Sequence, residues 1–251
     1  MHIYRIAEMN IAVQARYEKT YEYMADYLTD STDYELYIAP TDEMIRHEAE
    51  LSEALHGDSG SPHICEAVAI LRVICDYIIN KNGFFLHCSC LMHRGEAVIF
   101  TAPSGTGKST HASLWRRHFG DEVTMINDDK PLVREKDGRF IVYGTPWNGK
   151  HGIGNNISAP IKAVVFLRQA PENRAERISP VDALTLLLQQ TVLPSDKTRM
   201  SNLLDMLGRL VETIPMLRLG CTISDEAVEV ISRKIDEESR SASKGKADQT
   251  G

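Results

Sequence analysis

The chain has 251 residues, 43% of them hydrophobic and 25% charged, and a formal net charge of −7. A chain of this size can bury a full core as one large domain with a small appendage. The acidic balance, with no basic run longer than Arg116-Arg117, argues against a nucleic-acid partner, and no apolar run approaches the roughly 18 residues that span a bilayer.

Residues 1–60 predict a small N-terminal α/β segment. A strand-like Ile3 to Val13 leads to a helix-like Tyr17 to Leu28, a strand-like Tyr34 to Ala39 and a helix-like Asp42 to Leu55. Met1 to Ala12 carries charges where a secretion signal is apolar, so the cytoplasm is the expected location. The Gly- and Ser-rich stretch His56 to Ser61 marks a boundary, and 61–238 is expected to be the main domain. Ser61-Pro62 opens a helix whose Ile64, Val68, Leu71, Cys75 and Ile78 recur at helical spacing until Asn82-Gly83.

Phe84 to Met92 reads as a strand, with His87 and Ser89 on the face opposite Leu86, Cys88 and Cys90. If Arg94-Gly95 makes a two-residue hairpin turn, opposed residue numbers sum to about 189. His87 then lies across from Ala102 and serves either as a structural residue or as a catalytic one. The strand Ala97 to Thr101 runs into Ala102-Pro-Ser-Gly-Thr-Gly-Lys-Ser-Thr110 and then a helix to about His118. This is the order of a phosphate-binding loop, with Ala102 where the pattern G-x-x-x-x-G-K-[ST] has glycine. Gly105 and Gly107 let the backbone curl so that the N–H groups of Ser104, Gly105, Thr106, Gly107, Lys108, Ser109 and Thr110 can face phosphate. Lys108 would reach the β and γ phosphates, and the Ser109 hydroxyl would sit on Mg2+.

The strand Glu122 to Asn127 ends in Asp128-Asp129, a place suited to a metal-holding carboxylate, and adjacent strand residues point to opposite sides. One carboxylate can hold metal while the other takes a proton. Good turn chemistry in Asn-Asp-Asp-Lys-Pro is the plainer reading. After a strand at Phe140 to Tyr143, the loop Gly144 to Asn156 can wrap a ligand. It offers Lys150 for an anion, with Trp147 and Asn155 as further substrate contacts, although Trp147 serves equally as a core anchor. A strand at Ile161 to Leu167, a helix from Ser179-Pro180 to about Leu193, a helix Lys197 to Ile214, a strand Met216 to Leu219 and a helix Asp225 to Ile235 complete the domain. Residues 239–251, polar and rich in small residues, are expected to be a disordered tail. The five cysteines form no C-x-x-C pair and are expected to be reduced and mainly buried.

With His87, the 102–110 loop and Asp128-Asp129 in this order, the chain resembles the bacterial HPr serine kinase group and its distant relatives, the phosphoenolpyruvate carboxykinases, over about Gly83 to Leu167. The resemblance implies an α/β fold with a P-loop nucleotide-binding core on a mixed sheet, and ATP and Mg2+ as cofactors. It implies Lys108 and Ser109 on phosphates and metal, Asp128 as base toward the acceptor hydroxyl, and Asp129 on Mg2+; in the mechanism this suggests, His87 assists or orients Asp128. The Gly144 to Asn156 loop stands where true HPr kinases carry a glycine signature, with different residues, and the N-terminal segment is shorter than their N-terminal domain. The similarity is therefore to smaller HPr-kinase-like proteins, with a free amino acid, another small molecule or a peptide as hydroxyl acceptor. No membrane partner is expected, and a homo-oligomer is compatible with the sequence. A nucleotide-hydrolysing switch without a dedicated acceptor is the alternative.

Overall fold

In a computed structural model the chain is described over residues 1–149 and 151–247. It divides into two compact units, Met1–Lys81 and Asn82–Gly251. In the first unit, the run expected as one strand is a hairpin. Strands β1 (His2–Ile6) and β2 (Met9–Val13) turn through Ala7 and Glu8, both at positive φ. Helix α1 (Glu18–Tyr23) comes next, and β3 (Leu36–Ile38) pairs parallel with β2. Helix α2 (Asp42–His56) starts on the Thr41 hydroxyl and stops at left-handed Gly57. Helix α3 (Pro62–Ile78) packs on α1 and α2, which groups it with the N-terminal unit rather than with the rest of the chain. Its fully buried Glu66 accepts from the N–H groups of Arg16 (2.7 Å) and Tyr17 (3.2 Å) and from the Thr20 hydroxyl (2.6 Å). Helix α1 has no side-chain cap of its own, so this carboxylate satisfies its N-terminus from another helix.

The second unit runs β4 (Gly83–Phe85), β5 (Cys88–His93), β6 (Glu96–Thr101), α4 (Lys108–Phe119), β7 (Val123–Asn127), β8 (Leu132–Lys136), β9 (Arg139–Tyr143), β10 (Ser158–Gln169), β11 (Arg174–Arg177), α5 (Pro180–Leu188), α6 (Lys197–Thr213), β12 (Met216–Cys221) and α7 (Asp225–Ala247). It is a mixed α/β fold. Among the described residues, nine strands join in the order β4-β8-β9-β10-β6-β5-β7, with β12 on β10 and β11 on β12. The seam is β10. Its first residues pair antiparallel with β9, and its later ones pair parallel with β6 and with β12. A helix pair covers one face: Trp115 of α4 and Val228 and Ile231 of α7 share a buried cluster with Phe100, Val165 and Leu217 of the sheet. Each such side chain contributes about 1.5–3 kcal/mol by leaving water.

The elements depart from expectation where pairing is non-local. The strand expected over 84–92 breaks at Leu86-His87, because those N–H groups bond Pro131 O and Gln190 O instead of a ladder partner. Strands β8 and β11 are additional, and β8 joins β9 through Asp137-Gly138, both at positive φ. Helix α5 stops at Leu188, short of Leu193. Helix α7 continues past Ser239 to Ala247, with the Ser239 and Ser241 hydroxyls bonded to carbonyls one turn back. The rest of the expected tail, residues 248–251, lies outside the described residues. All five cysteines are free, and four of them are buried. Among the described residues no helix is long and apolar enough to cross a membrane.

His111 of α4 is buried against Phe100 and accepts the Trp115 indole N–H at Nε2 (3.2 Å). Burial pushes its pKa down from 6.5 to about 4. The unfolded chain therefore binds one proton more than the native state between those values, and stability falls as pH drops across them, by about 3 kcal/mol. Urea midpoints are expected to decline over this window. His111→Gln, which keeps an acceptor for Trp115, should flatten that decline.

Candidate active site

The strand β6 ends at Thr101, and α4 begins at Lys108 after six intervening residues. Between them Gly105 (φ 79°) and Gly107 (φ 115°) take left-handed values that a Cβ disfavours. Ala102 is not among the residues at positive φ, which is why alanine serves in place of the usual glycine. Gly107 is the N-cap of α4 and provides no side-chain cap, whereas Thr41, Ser179 and Asp196 cap α2, α5 and α6. No side chain caps the first-turn N–H groups of α4. Lys108 is 8% exposed, and its Nζ donates to Ala102 O at 2.9 Å, drawing the loop closed. Burial pushes the Lys108 pKa down, opposed by the carboxylates of Asp129 and Asp128. An ammonium held by a neutral carbonyl in a partly dry site gains strongly from an arriving anion. Within the same loop Ser109 and Thr106 are half-buried, and Ser104 and Thr110 are exposed.

Every pair in the β5–β6 hairpin, from Cys88↔Thr101 to His93↔Glu96, has the register that the Arg94-Gly95 turn predicts. His87 therefore sits at the mouth of the loop, where its carbonyl accepts from the Thr101 hydroxyl (3.0 Å). The other edge of β5 pairs with β7, with a shift between Cys90 and Leu91, and this brings in the acidic pair. His87 Nε2 lies 3.3 Å from Asp129 Oδ1, and Lys130 Nζ holds Asp129 Oδ2. Burial pushes the Asp129 pKa up, but the His87 hydrogen bond and the Lys130 charge outweigh it and hold the carboxyl below its ordinary value. Asp128 has a different partner: Ser89 Oγ donates to its Oδ1 at 2.5 Å. The two carboxylates differ in surroundings, and Ser89, which no motif singles out, orients one of them.

Asn127, 0% exposed, ties the acidic turn to the loop beyond β9. Its Oδ1 accepts from the N–H groups of Asp129 (2.9 Å) and Lys130 (2.8 Å), shaping the acidic turn. Its Nδ2 donates to Thr145 O (3.1 Å), Thr145 Oγ1 (3.1 Å) and Asn148 Oδ1 (2.7 Å), docking the 144–157 loop on β7. A Cβ on Gly144 would stand 1.9 Å from Asn155 O, so only glycine fits there. Gly149 lies against Asp129, within 3.0 Å of its Cβ for any added methyl, so this loop packs on Asp129. Of the expected substrate contacts, Trp147 is 2% exposed, and Asn155 gives its amide to Met125 O (2.8 Å). Lys150 lies outside the described residues.

A sequence-family model described as "SynChlorMet cassette protein ScmC" matches residues 58–236, more than half of the chain. The chain belongs to the ScmC family. The matched span takes in His87, the phosphate loop, the acidic pair and Asn127. None of the curated proteins matches it in sequence. Among solved structures, an HPr(Ser) kinase/phosphatase from Coxiella burnetii is similar at 11% identity and a TM-score of 0.35, over 66% of this chain and 96% of that one.

Among the described residues no group of three or more His, Cys, Asp or Glu side chains could hold a metal ion. Mg2+ commonly takes one or two protein oxygens and completes its shell with phosphate and water. Of the two expected ligands, Ser109 is half-buried and Asp129 has its Oδ2 held by Lys130. The docked loop gives a direct test. Asn127→Ala removes five hydrogen bonds from a dry site and is expected to lower unfolding stability by about 3 kcal/mol or more in urea titrations. Gly144→Ala should cost at least as much.

Proposed function

We propose that this chain is a Mg2+-dependent kinase that moves the γ-phosphoryl group of ATP to a hydroxyl acceptor. One observation carries the reading: a single strand, β5, is paired on one edge with the strand that feeds the phosphate loop and on the other with the strand that ends in two unlike carboxylates. Phosphoryl transfer needs positioning and charge neutralisation more than covalent chemistry, and this arrangement supplies both.

In this reading the amides of residues 104–110 and the start of α4 take the phosphates. Lys108 leaves the Ala102 carbonyl to neutralise the β and γ oxygens. Mg2+, held by Ser109 and Asp129, would supply further charge stabilisation of the triphosphate. Asp128, with one oxygen fixed by Ser89, accepts the proton of the attacking hydroxyl. The new bond forms between that oxygen and the γ phosphorus, the bond to the β,γ-bridging oxygen breaks, and ADP leaves. His87 acts as a positioning residue, since it meets Asp129 rather than Asp128.

Lys108→Ala is expected to weaken Mg-ATP binding about a hundredfold in titration calorimetry. Asp128→Asn should leave that binding within about twofold and slow acceptor phosphorylation by about 100- to 10,000-fold, the usual range for a lost general base. Equal loss of binding and transfer would remove the base assignment. Release of ADP at the same rate with and without any hydroxyl acceptor would make the chain a hydrolytic switch instead.

A further inference from the structure

A cleft of about 420 Å³ opens at the carboxyl ends of the parallel strands β6 and β10, beside Arg218 of β12. Its lining includes Pro103 of the loop, Phe166 of β10 and Leu186 of α5, with two guanidinium groups, Arg168 and Arg218, among them. Arg218 faces Glu176 at 3.6 Å. The Arg168 guanidinium, exposed in the cleft, has no ion-pair or hydrogen-bond partner among the described residues. Gln190 connects this cleft with the reacting side, since it lines the cleft and its carbonyl accepts the His87 N–H at 2.7 Å.

Resting on the kinase reading above, we propose that this cleft seats the phosphoryl acceptor, and that the acceptor is a small hydroxyl-bearing carboxylic acid whose carboxylate is held by Arg168. A free guanidinium in an acidic protein is a local anion site, and its planar fork matches a carboxylate in bidentate fashion. The apolar walls and the volume suit a small molecule, within the usual range of about 300–1,000 Å³ for such pockets. A neutral nucleobase gives no reason for two guanidinium groups, and in the kinase reading the nucleotide's own phosphates are served by the amides of residues 104–110, which do not line the cleft. Gln190 ties the seat to His87, so a hydroxyl on the bound acid lies toward the carboxylate pair.

The test uses the full chain with γ-labelled Mg-ATP and a panel of serine, threonine and glycerate, each beside its uncharged amide. At least one acid is expected to be labelled, with its amide about tenfold or more poorer in kcat/KM. Arg168→Ala should raise the KM of that acid about tenfold and abolish the difference between acid and amide, and Arg168→Lys should restore part of it. Mg-ATP affinity, read by calorimetry on the same variants, should hold within about twofold, because the loop amides and Lys108 remain. Equal use of acid and amide by the wild-type chain, or no labelling of any acid, overturns the carboxylate assignment. A wild-type chain that also shows no Mg-ATP heat has lost the kinase reading itself, which separates the two failures.

Discussion

Strand β5 is the constraint on which the site rests. It lies between β6 and β7, and its two registers set the glycine-rich loop after β6 beside the acidic pair after β7. Side chains alternate along a strand, so a slip of one residue would send His87 and Ser89 to the opposite face, taking Ser89 from Asp128 and leaving Asp129 with Lys130 alone. Backbone bonds guard against this at the far end from the hairpin turn: His87 N–H is held by Gln190 O, and Cys88 N–H by Asp129 O. The break at Leu86-His87 is the place where the chain leaves its β8 pairing to reach these partners.

Charge in the site is arranged in pairs that are nearly but not fully satisfied. Asp129 is flanked by His87 and Lys130, Asp128 by the neutral Ser89 hydroxyl, and Lys108 by a neutral carbonyl. In a partly dry environment each incomplete pairing raises the gain from a ligand of the opposite sign. Asn127 has the reverse character. Its amide is saturated by two segments of backbone and two side chains, which holds the turn and the loop still while the charged groups rearrange.

The parts legible in the sequence are those set by neighbours in the chain. Gly105 and Gly107 announce the loop, and Arg94-Gly95 announces the hairpin whose register places His87. Strand alternation predicts unlike surroundings for Asp128 and Asp129, and their surroundings do differ, although both lie in the turn beyond β7 and not in the strand itself. Ser89 as partner of Asp128 depends on the shift between Cys90 and Leu91, which no local pattern signals. Asn127 reads as turn chemistry because Thr145 and Asn148, which define its role, are distant in sequence. Strand β8 is masked by Arg134, Glu135 and Lys136, although Asp137-Gly138 is a hairpin signal in plain view. Arg168 is one basic residue at the end of an apolar run, and only the convergence of β6, β10 and β12 gives it a setting.

The position of β10 as the seam of the sheet bears on how the protein is made. The strand that carries the phosphate loop finds its parallel neighbour only in residues 161–166, and β10 in turn awaits β12 at residues 216–221. Such long-range pairings must close large loops of chain before they return any stabilisation. During synthesis, then, the glycine-rich turn emerges from the ribosome well before the floor beneath it exists. The turn would be held in its final shape only in a nearly finished polypeptide, and fragments ending before β10 would present β6 as a raw edge open to wrong partners.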